Sequence, residues 1–128
     1  MFPSHDLGKI GDKLEKRTLE ILQSVDQRFR PTANSGATYQ DNDISHPEWV
    51  VECKVKNGTQ GISLNKSELL KLQKEAKKES KDWLGIVENS DGSTVAMMSL
   101  DQFATLLSEI DRLHNIIWDM KEESEGIV

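Results

Sequence analysis

The sequence has a single cysteine, Cys53, only three prolines, and no apolar run near the roughly 18 residues that a membrane helix needs. One cysteine excludes an internal disulfide and a cysteine-rich zinc site. The N-terminus lacks the apolar core of a secretory signal peptide. These absences predict a protein of the reducing cytoplasm with no membrane partner.

The composition is that of a folded domain with an uneven charge. Of the 128 residues, 36% are hydrophobic and 30% are charged, so we expect a single domain over residues 1–128. The net charge is −6, but residues 54–81 hold eight basic and three acidic residues, whereas residues 88–128 hold two and nine. Since the basic residues form one segment, the overall acidity does not exclude a nucleic-acid partner.

Hydrophobic periodicity predicts three helices and five strands. The first helix covers residues 8–26. The second is capped by Ser63 or Ser67 and ends near residue 80. The third covers residues 100–123. The strands cover residues 27–31, the surroundings of residues 43–44, and residues 49–55, 83–88 and 94–98. The order α-β-β-β-α-β-β-α predicts an α/β domain with a central mixed sheet flanked by helices.

The first helix carries one acid that can reach the interior. At about 100° per residue, Glu15 falls beside the apolar stripe, whereas Glu20 falls on the polar face with Lys16. The predicted stripe consists of Ile10, Leu14, Thr18, Ile21 and Val25, with Leu22 beside it.

The third predicted strand places an acid and a base on one face. Side chains alternate along a strand, so Glu52 and Lys54 point the same way, about 6.6 Å apart along the strand. Magnesium prefers oxygen ligands, and Asp43 before the turn at residues 46–47 can bind the same ion as Glu52. Lys54 can orient an attacking water or stabilise charge on a phosphate. The alternative is a structural ladder of ion pairs.

This pattern resembles the PD-(D/E)xK nuclease superfamily and is similar to archaeal-type Holliday junction resolvases and related small phage-encoded endonucleases. The similarity covers about residues 8–107, and Asn42 replaces the proline that names the superfamily. The matching segments are Gly11 to Glu15, Arg30 with Ser35-Gly36-Ala37, Asp43-Ile44, Glu52-Cys53-Lys54, and Gln73.

The resemblance implies a restriction-endonuclease-like core and a magnesium-dependent endonuclease, with manganese as a substitute. It assigns the metal to Glu15, Asp43 and Glu52, catalysis also to Lys54, and supporting roles to Ser35 and Gln73. The implied substrate is branched or otherwise structured DNA, and the implied location is the host cytoplasm if a phage encodes the chain. The alternatives are a nuclease for flaps, nicks or ends, and a non-catalytic DNA-binding or assembly protein on the same scaffold.

Two surfaces have further predicted partners. Arg30, Lys56, Lys66 and Lys74 are the predicted DNA contacts, although lysines on a helix are often only a solvated face. The last helix, from about residue 100 to 123, can cover the core, bind another protein through its acids, or form a dimerisation element. Ile116, Ile117 and Trp118 are hard to bury in so small a monomer, which favours a homodimer or higher homo-oligomer.

Overall fold

The computed structural model describes residues 4–32, 44–57 and 61–126, with the backbone alone for residues 4–12. Its elements, which confirm the predicted order, are α1 (Ser4–Val25), β1 (Arg30–Pro31), β2 (Ile44–Ser45), β3 (Trp49–Lys56), α2 (Lys66–Glu79), β4 (Asp82–Asn89), β5 (Thr94–Met97) and α3 (Leu100–Gly126). The chain forms two compact units, Met1–Met97 and Met98–Val128. No helix of these described residues has the length and apolarity to cross a membrane.

Within the described part of the first unit, five strands form one mixed sheet in the order β1-β2-β3-β4-β5. Only β3 and β4 are parallel, and their register runs from Trp49 opposite Asp82 to Lys56 opposite Asn89. The other neighbours are antiparallel. The mixed α/β class is therefore confirmed, and α2 is the crossover that a parallel pair requires.

The two faces of this sheet are covered by different helices. Paired residues of neighbouring strands point to the same face. The α2 face carries the even-numbered residues of β3, and its apolar core consists of Val50, Leu64, Leu72, Ala76, Trp83 and Val87. The α1 face carries Val51, Cys53 and Val55 beside Leu84, Ile86 and Glu88. Arg17 of α1 reaches that face, since its Nη2 donates to Glu88 Oε2 at 3.1 Å.

Gly85 of β4 allows the α2 face to close tightly. A Cβ atom at this position would lie 2.8 Å from Cδ1 of Leu64. Real Cβ contacts are essentially never so short, so Leu64, two residues before α2, packs directly onto the backbone of β4.

The predicted start of α2 is wrong, because Asn65 caps this helix rather than Ser63 or Ser67. The Asn65 side chain accepts from the Glu68 N–H at 2.8 Å, and the Glu68 carboxylate accepts from the Asn65 N–H at 2.9 Å. This capping box satisfies two backbone donors at once, which a single serine cap cannot do.

The first predicted strand is also shorter than expected, since residues 27–29 are not part of β1. The carboxylate of Asp26 accepts from the Arg28 N–H at 2.9 Å, and the Asp26 carbonyl accepts from the Phe29 N–H at 3.3 Å. These local bonds turn the chain and compete with a strand ladder. Phe29 is nevertheless buried.

The buried stripe of α1 differs from the predicted one. Leu14 and Thr18 are buried, but Ile21 is 58% and Val25 83% exposed. The buried residues follow steps of four, so the stripe turns towards Glu15, which is half-buried. Glu20 is exposed, as predicted.

A hydrogen-bonded tie joins the end of α1 to the turn between β2 and β3. His46 is only 3% exposed, and its Nδ1 accepts from the Glu48 N–H at 2.9 Å. Nε2 therefore carries the hydrogen and donates to Asp26 Oδ2 at 2.9 Å. The His46 ring also lies 4.2 Å from the ring of Phe29. Both ring nitrogens are occupied, so this histidine is structural.

We predict that Asp26 stabilises the fold only above acidic pH. Hydrogen bonds from Arg28 and then His46 hold the pKa of its carboxyl well below the ordinary value of 3.8. A depressed carboxyl contributes stability that is complete above its unfolded pKa and is lost as the pH falls. In urea unfolding, Asp26→Asn should lower the midpoint at pH 7, and the difference from wild type should shrink below about pH 4.

The matched control is Glu20→Gln, which removes an exposed carboxyl from the same helix. Its midpoint should follow that of the wild type at every pH. A wild-type advantage over Asp26→Asn that persists unchanged at pH 2 would contradict the proposed tie.

Candidate active site

The α2 face of β3 carries a row of alternating charges. Glu52, Lys54 and Lys56 share this face, and Glu68 comes from the first turn of α2. Lys54 Nζ lies 3.2 Å from Glu52 Oε1. Lys56 Nζ donates directly to Glu68 Oε1. We call these four residues the charged row.

The two ion pairs of the charged row differ in their access to solvent. The Lys56 side chain is 10% exposed and the Glu68 side chain 21%. Glu52 is 16% exposed, but the Lys54 side chain is 40% exposed. A ligand from solvent can therefore reach the Glu52–Lys54 end of the row, whereas Lys56 is enclosed.

Electrostatics couples the two pairs. Burial alone would raise the pKa of the Glu68 carboxyl. Hydrogen bonds from Lys56 and the Asn65 backbone, with the positive charges of Lys56 and Lys54, outweigh burial and hold that pKa below its ordinary value. Glu68 therefore stays ionised at neutral pH, and the Lys54 ammonium acts on a carboxylate of α2 as well as on Glu52.

Glu68 is the residue of this site that the sequence reasoning missed. It stands twelve positions after Lys56, and no period links a strand residue to a helix residue across a loop. The spacing of Asn65 and Glu68 is that of a capping box, which was the available signal. That signal explains the carboxyl as a cap and does not by itself indicate its ion pair.

The structure brings together only part of the predicted metal site. Glu52 and Lys54 lie side by side as expected. Asp43 and Ser35 lie outside the described residues, although Ile44, which follows Asp43 in the sequence, pairs with Val51, which precedes Glu52.

Glu15 and Gln73 are both half-buried, but they belong to helices on opposite faces of the sheet. A single site that both residues enter from the same side of the sheet is therefore not supported. Helical periodicity predicts an apolar stripe but does not assign the helix to a face of the sheet.

Three of the four predicted DNA contacts are exposed and one is enclosed. Lys66 and Lys74 are exposed on α2, and Arg30 is exposed on β1, where its Nη1 donates to the Phe29 carbonyl at 3.2 Å. Lys56 is 9% exposed and bound to Glu68. A contact between Lys56 and a DNA phosphate would require the loss of that pair, so the structure argues against this prediction.

The charged row can supply one carboxylate ligand to a magnesium ion. Among the residues that the structure describes, no group of three or more His, Cys, Asp or Glu side chains is placed to hold a metal ion. Magnesium commonly takes one or two protein carboxylates and completes its shell with water and phosphate. Glu52, an oxygen donor beside a partly exposed lysine, fits as one of these carboxylates.

Comparisons of the chain with protein-family models, with curated proteins and with solved structures found no match. The interpretation of the site therefore depends on its own residues.

We predict that removing Glu68 and removing Lys56 lower the free energy of unfolding by different amounts. Glu68→Ala removes the carboxylate that accepts from the Asn65 N–H and leaves Lys56 enclosed without its partner, which should lower the free energy of unfolding by about 2–4 kcal/mol. Lys56→Met should cost clearly less, because Glu68 keeps the Asn65 N–H and partial access to water. Urea unfolding at pH 7 measures both variants.

Glu79→Ala on the same helix is the control. Its carboxylate lies 3.7 Å from Lys81 near the surface, so its loss should cost less than about 1 kcal/mol. Equal costs for Glu68→Ala and Glu79→Ala would show that the charged row does not stabilise the fold.

Proposed function

We propose that this chain is a metal-dependent DNA endonuclease, similar to Holliday junction resolvases, that hydrolyses phosphodiester bonds in branched or otherwise structured DNA. The main support for this proposal is the ion pair between Glu52 and Lys54 on the central strand. Lys54 Nζ lies 3.2 Å from Glu52 Oε1, and the lysine is accessible to solvent. The finer proposal for the fold is a restriction-endonuclease-like core. A β2–β3 hairpin followed by a β3–α2–β4 crossover supports it.

Burial energetics supports a functional origin for this pair. A carboxylate that is 16% exposed has lost much of its hydration, and its partner is a lysine that is 40% exposed. Partly exposed ion pairs add little stability, about 0–1 kcal/mol. An apolar pair at these positions would avoid the desolvation of two charges, which supports a chemical role for the charged residues.

In this proposal Glu52 is a metal ligand, with Asp43 and Glu15 as the further predicted ligands. The ion would be Mg²⁺ or Mn²⁺, and it supplies a Lewis acid and an activated water when bound. Glu15 would have to act from the helix on the α1 face, so it is the least supported of the three. Ser35 and Gln73 keep supporting roles as predictions.

The role of Lys54 follows from its charge and exposure. Its ammonium carries three donors and can hold a non-bridging phosphate oxygen or the attacking water. The ammonium lies 3.2 Å from Glu52 Oε1, and it also interacts electrostatically with the Glu68 carboxylate. Phosphate charge that develops during hydrolysis is then met by a cation already in position.

The first test is cleavage of a four-way junction, a flap, a nicked duplex and single-stranded DNA with Mg²⁺ or Mn²⁺. Lys54→Ala should reduce cleavage by about 100- to 1,000-fold, as for removal of one charge-stabilising group. Glu52→Gln should reduce cleavage and weaken metal binding, measured by calorimetry. Unfolding curves of both variants show whether the fold is kept.

Glu20→Gln and Lys16→Ala, which alter exposed residues of α1, are the matched controls and should cut as the wild type does. A wild type that cuts none of the substrates, or a Lys54→Ala variant that cuts as well, contradicts the proposed catalysis. DNA binding without any metal binding would instead identify a non-catalytic DNA-binding or assembly protein. The substrate profile separates a resolvase from a nuclease for flaps, nicks or ends.

A second test concerns the lysines of α2. We propose that Lys66 and Lys74 contact phosphates, since both are exposed on the helix that covers the charged row. Each alanine variant should weaken binding of all DNA structures alike and reduce the slope of log K against log salt by about 1. Binding is measured in EDTA, so that no strand is cut.

Lys56→Met serves as the internal comparison for this test. Because Lys56 is enclosed with Glu68, its substitution should leave the salt slope unchanged. A reduced slope for Lys56→Met, together with an unchanged slope for Lys66→Ala and Lys74→Ala, would reverse the assignment.

A further inference from the structure

The second unit has an apolar side that its own residues do not bury. None of the 27 residues of α3 is buried. Its large apolar residues are exposed by 37% to 80%, and they are Leu100, Phe103, Leu106, Leu107, Ile110, Leu113, Ile116, Ile117, Trp118 and Met120. Helices in proteins owe most of their stability to packing of an apolar face. A helix with so many exposed apolar side chains therefore indicates a partner.

The spacing of these residues identifies the kind of partner. Phe103, Ile110 and Ile117 are seven residues apart, and Leu106, Leu113 and Met120 follow them at a constant step of three. Apolar residues thus fill all a and d positions of three successive heptads, which is the pattern of a coiled coil. Its 3.5-residue period requires a facing helix with the same period. A second copy of α3 has that period by construction.

Trp118 belongs to a different side of α3. It occupies a b position, and its indole N–H donates to Glu122 Oε1 at 2.9 Å, one turn further along the helix. Although it is 52% exposed, its polar atom is already satisfied within the helix. The sequence argument that Trp118 itself requires a dimer is therefore weaker than the argument from the heptads.

The apolar area available for a pair is close to the lower limit for a specific protein interface. The a and d residues are each 37% to 65% exposed, and Leu107 and Ile116 flank them. Complete burial of one such side chain corresponds to roughly 60–120 Å² of apolar surface, so two helices, each half exposed, bury on the order of 700 Å². With the polar rim this approaches about 1,000 Å², the lower size of a specific protein interface.

The charges along α3 select the orientation of the pair. The end of the helix carries Asp119, Glu122, Glu123 and Glu125 against Lys121 alone, and the last turn has no basic residue. A parallel pair would place two such ends side by side. An antiparallel pair places each acidic end beside the N-terminal turns of the other helix, where the helix dipole has its partial positive charge.

We propose that α3 of one chain forms an antiparallel coiled coil with α3 of a second copy, centred between Ile110 and Leu113. In this register Leu106 lies opposite Ile117 of the other copy, and Phe103 opposite Met120. The flanking pairs bring no like charges together, since Glu109 faces Ile116 and Glu123 faces Gln102. The inference is independent of the proposed nuclease activity.

The first test is the mass of the full chain in solution by light scattering and sedimentation equilibrium. The wild type should have twice the chain mass of 14.5 kDa. Ile110→Asp places a charge in the central layer and should give a monomer at the same concentration. Ser108→Asp places the same charge at an f position, away from the contact, and should remain dimeric. Thermal unfolding of each variant shows whether the first unit stays folded.

The second test is disulfide cross-linking in a Cys53→Ala background, which removes the native thiol. Leu106→Cys and Ile117→Cys, refolded together and oxidised, should form a mixed disulfide dimer, whereas neither variant alone should cross-link. Efficient cross-linking of Leu106→Cys with itself overturns the antiparallel orientation. A monomeric wild type, or an Ile110→Asp variant that stays dimeric, overturns the pairing through α3.

Discussion

Strand β3 lies at the centre of a five-stranded sheet, yet three of its eight residues are charged and point to the same face. Charges on a covered face must be paired, because an unpaired ion loses several kcal/mol of hydration. Lys56 meets this requirement through Glu68, and the same carboxylate closes the capping box of Asn65. The start of α2 is thus fixed by an electrostatic need of the central strand, and the position of α2 defines the apolar core on that face.

The charged row also divides the α2 face into an apolar part and a polar part. Val50 at one end of β3 belongs to the buried apolar core of this face and lies beside Trp83 of β4. At the other end, the charges enclose Lys56 and leave Lys54 accessible. A folded core and an accessible polar site therefore share one strand, and alternation along that strand keeps the polar side chains off the α1 face.

The sequence predicted whatever depends on periodicity within one element. Alternation correctly placed Glu52 and Lys54 on one face, and helical phase correctly separated Glu15 from Glu20. Relations between elements were harder to predict. The Lys56–Glu68 pair joins a strand to a helix across a loop, and the choice of sheet face for α1 depends on packing that no local pattern encodes. Serine is a good cap at either predicted position, but the reciprocal bonds between Asn65 and Glu68 decide where the helix starts.

The distinction between a structural ladder and a catalytic site depends on which end of the charged row needs a functional explanation. Lys56 and Glu68 have a structural one, since both are largely enclosed and the pair anchors α2. The ion pair between Glu52 and Lys54 contributes little to stability by itself, because the Lys54 side chain is 40% exposed. Selection for stability alone would favour apolar residues at these positions of a central strand. A desolvated carboxylate beside an accessible ammonium is, by contrast, what the binding of a hydrated metal ion and a phosphate requires.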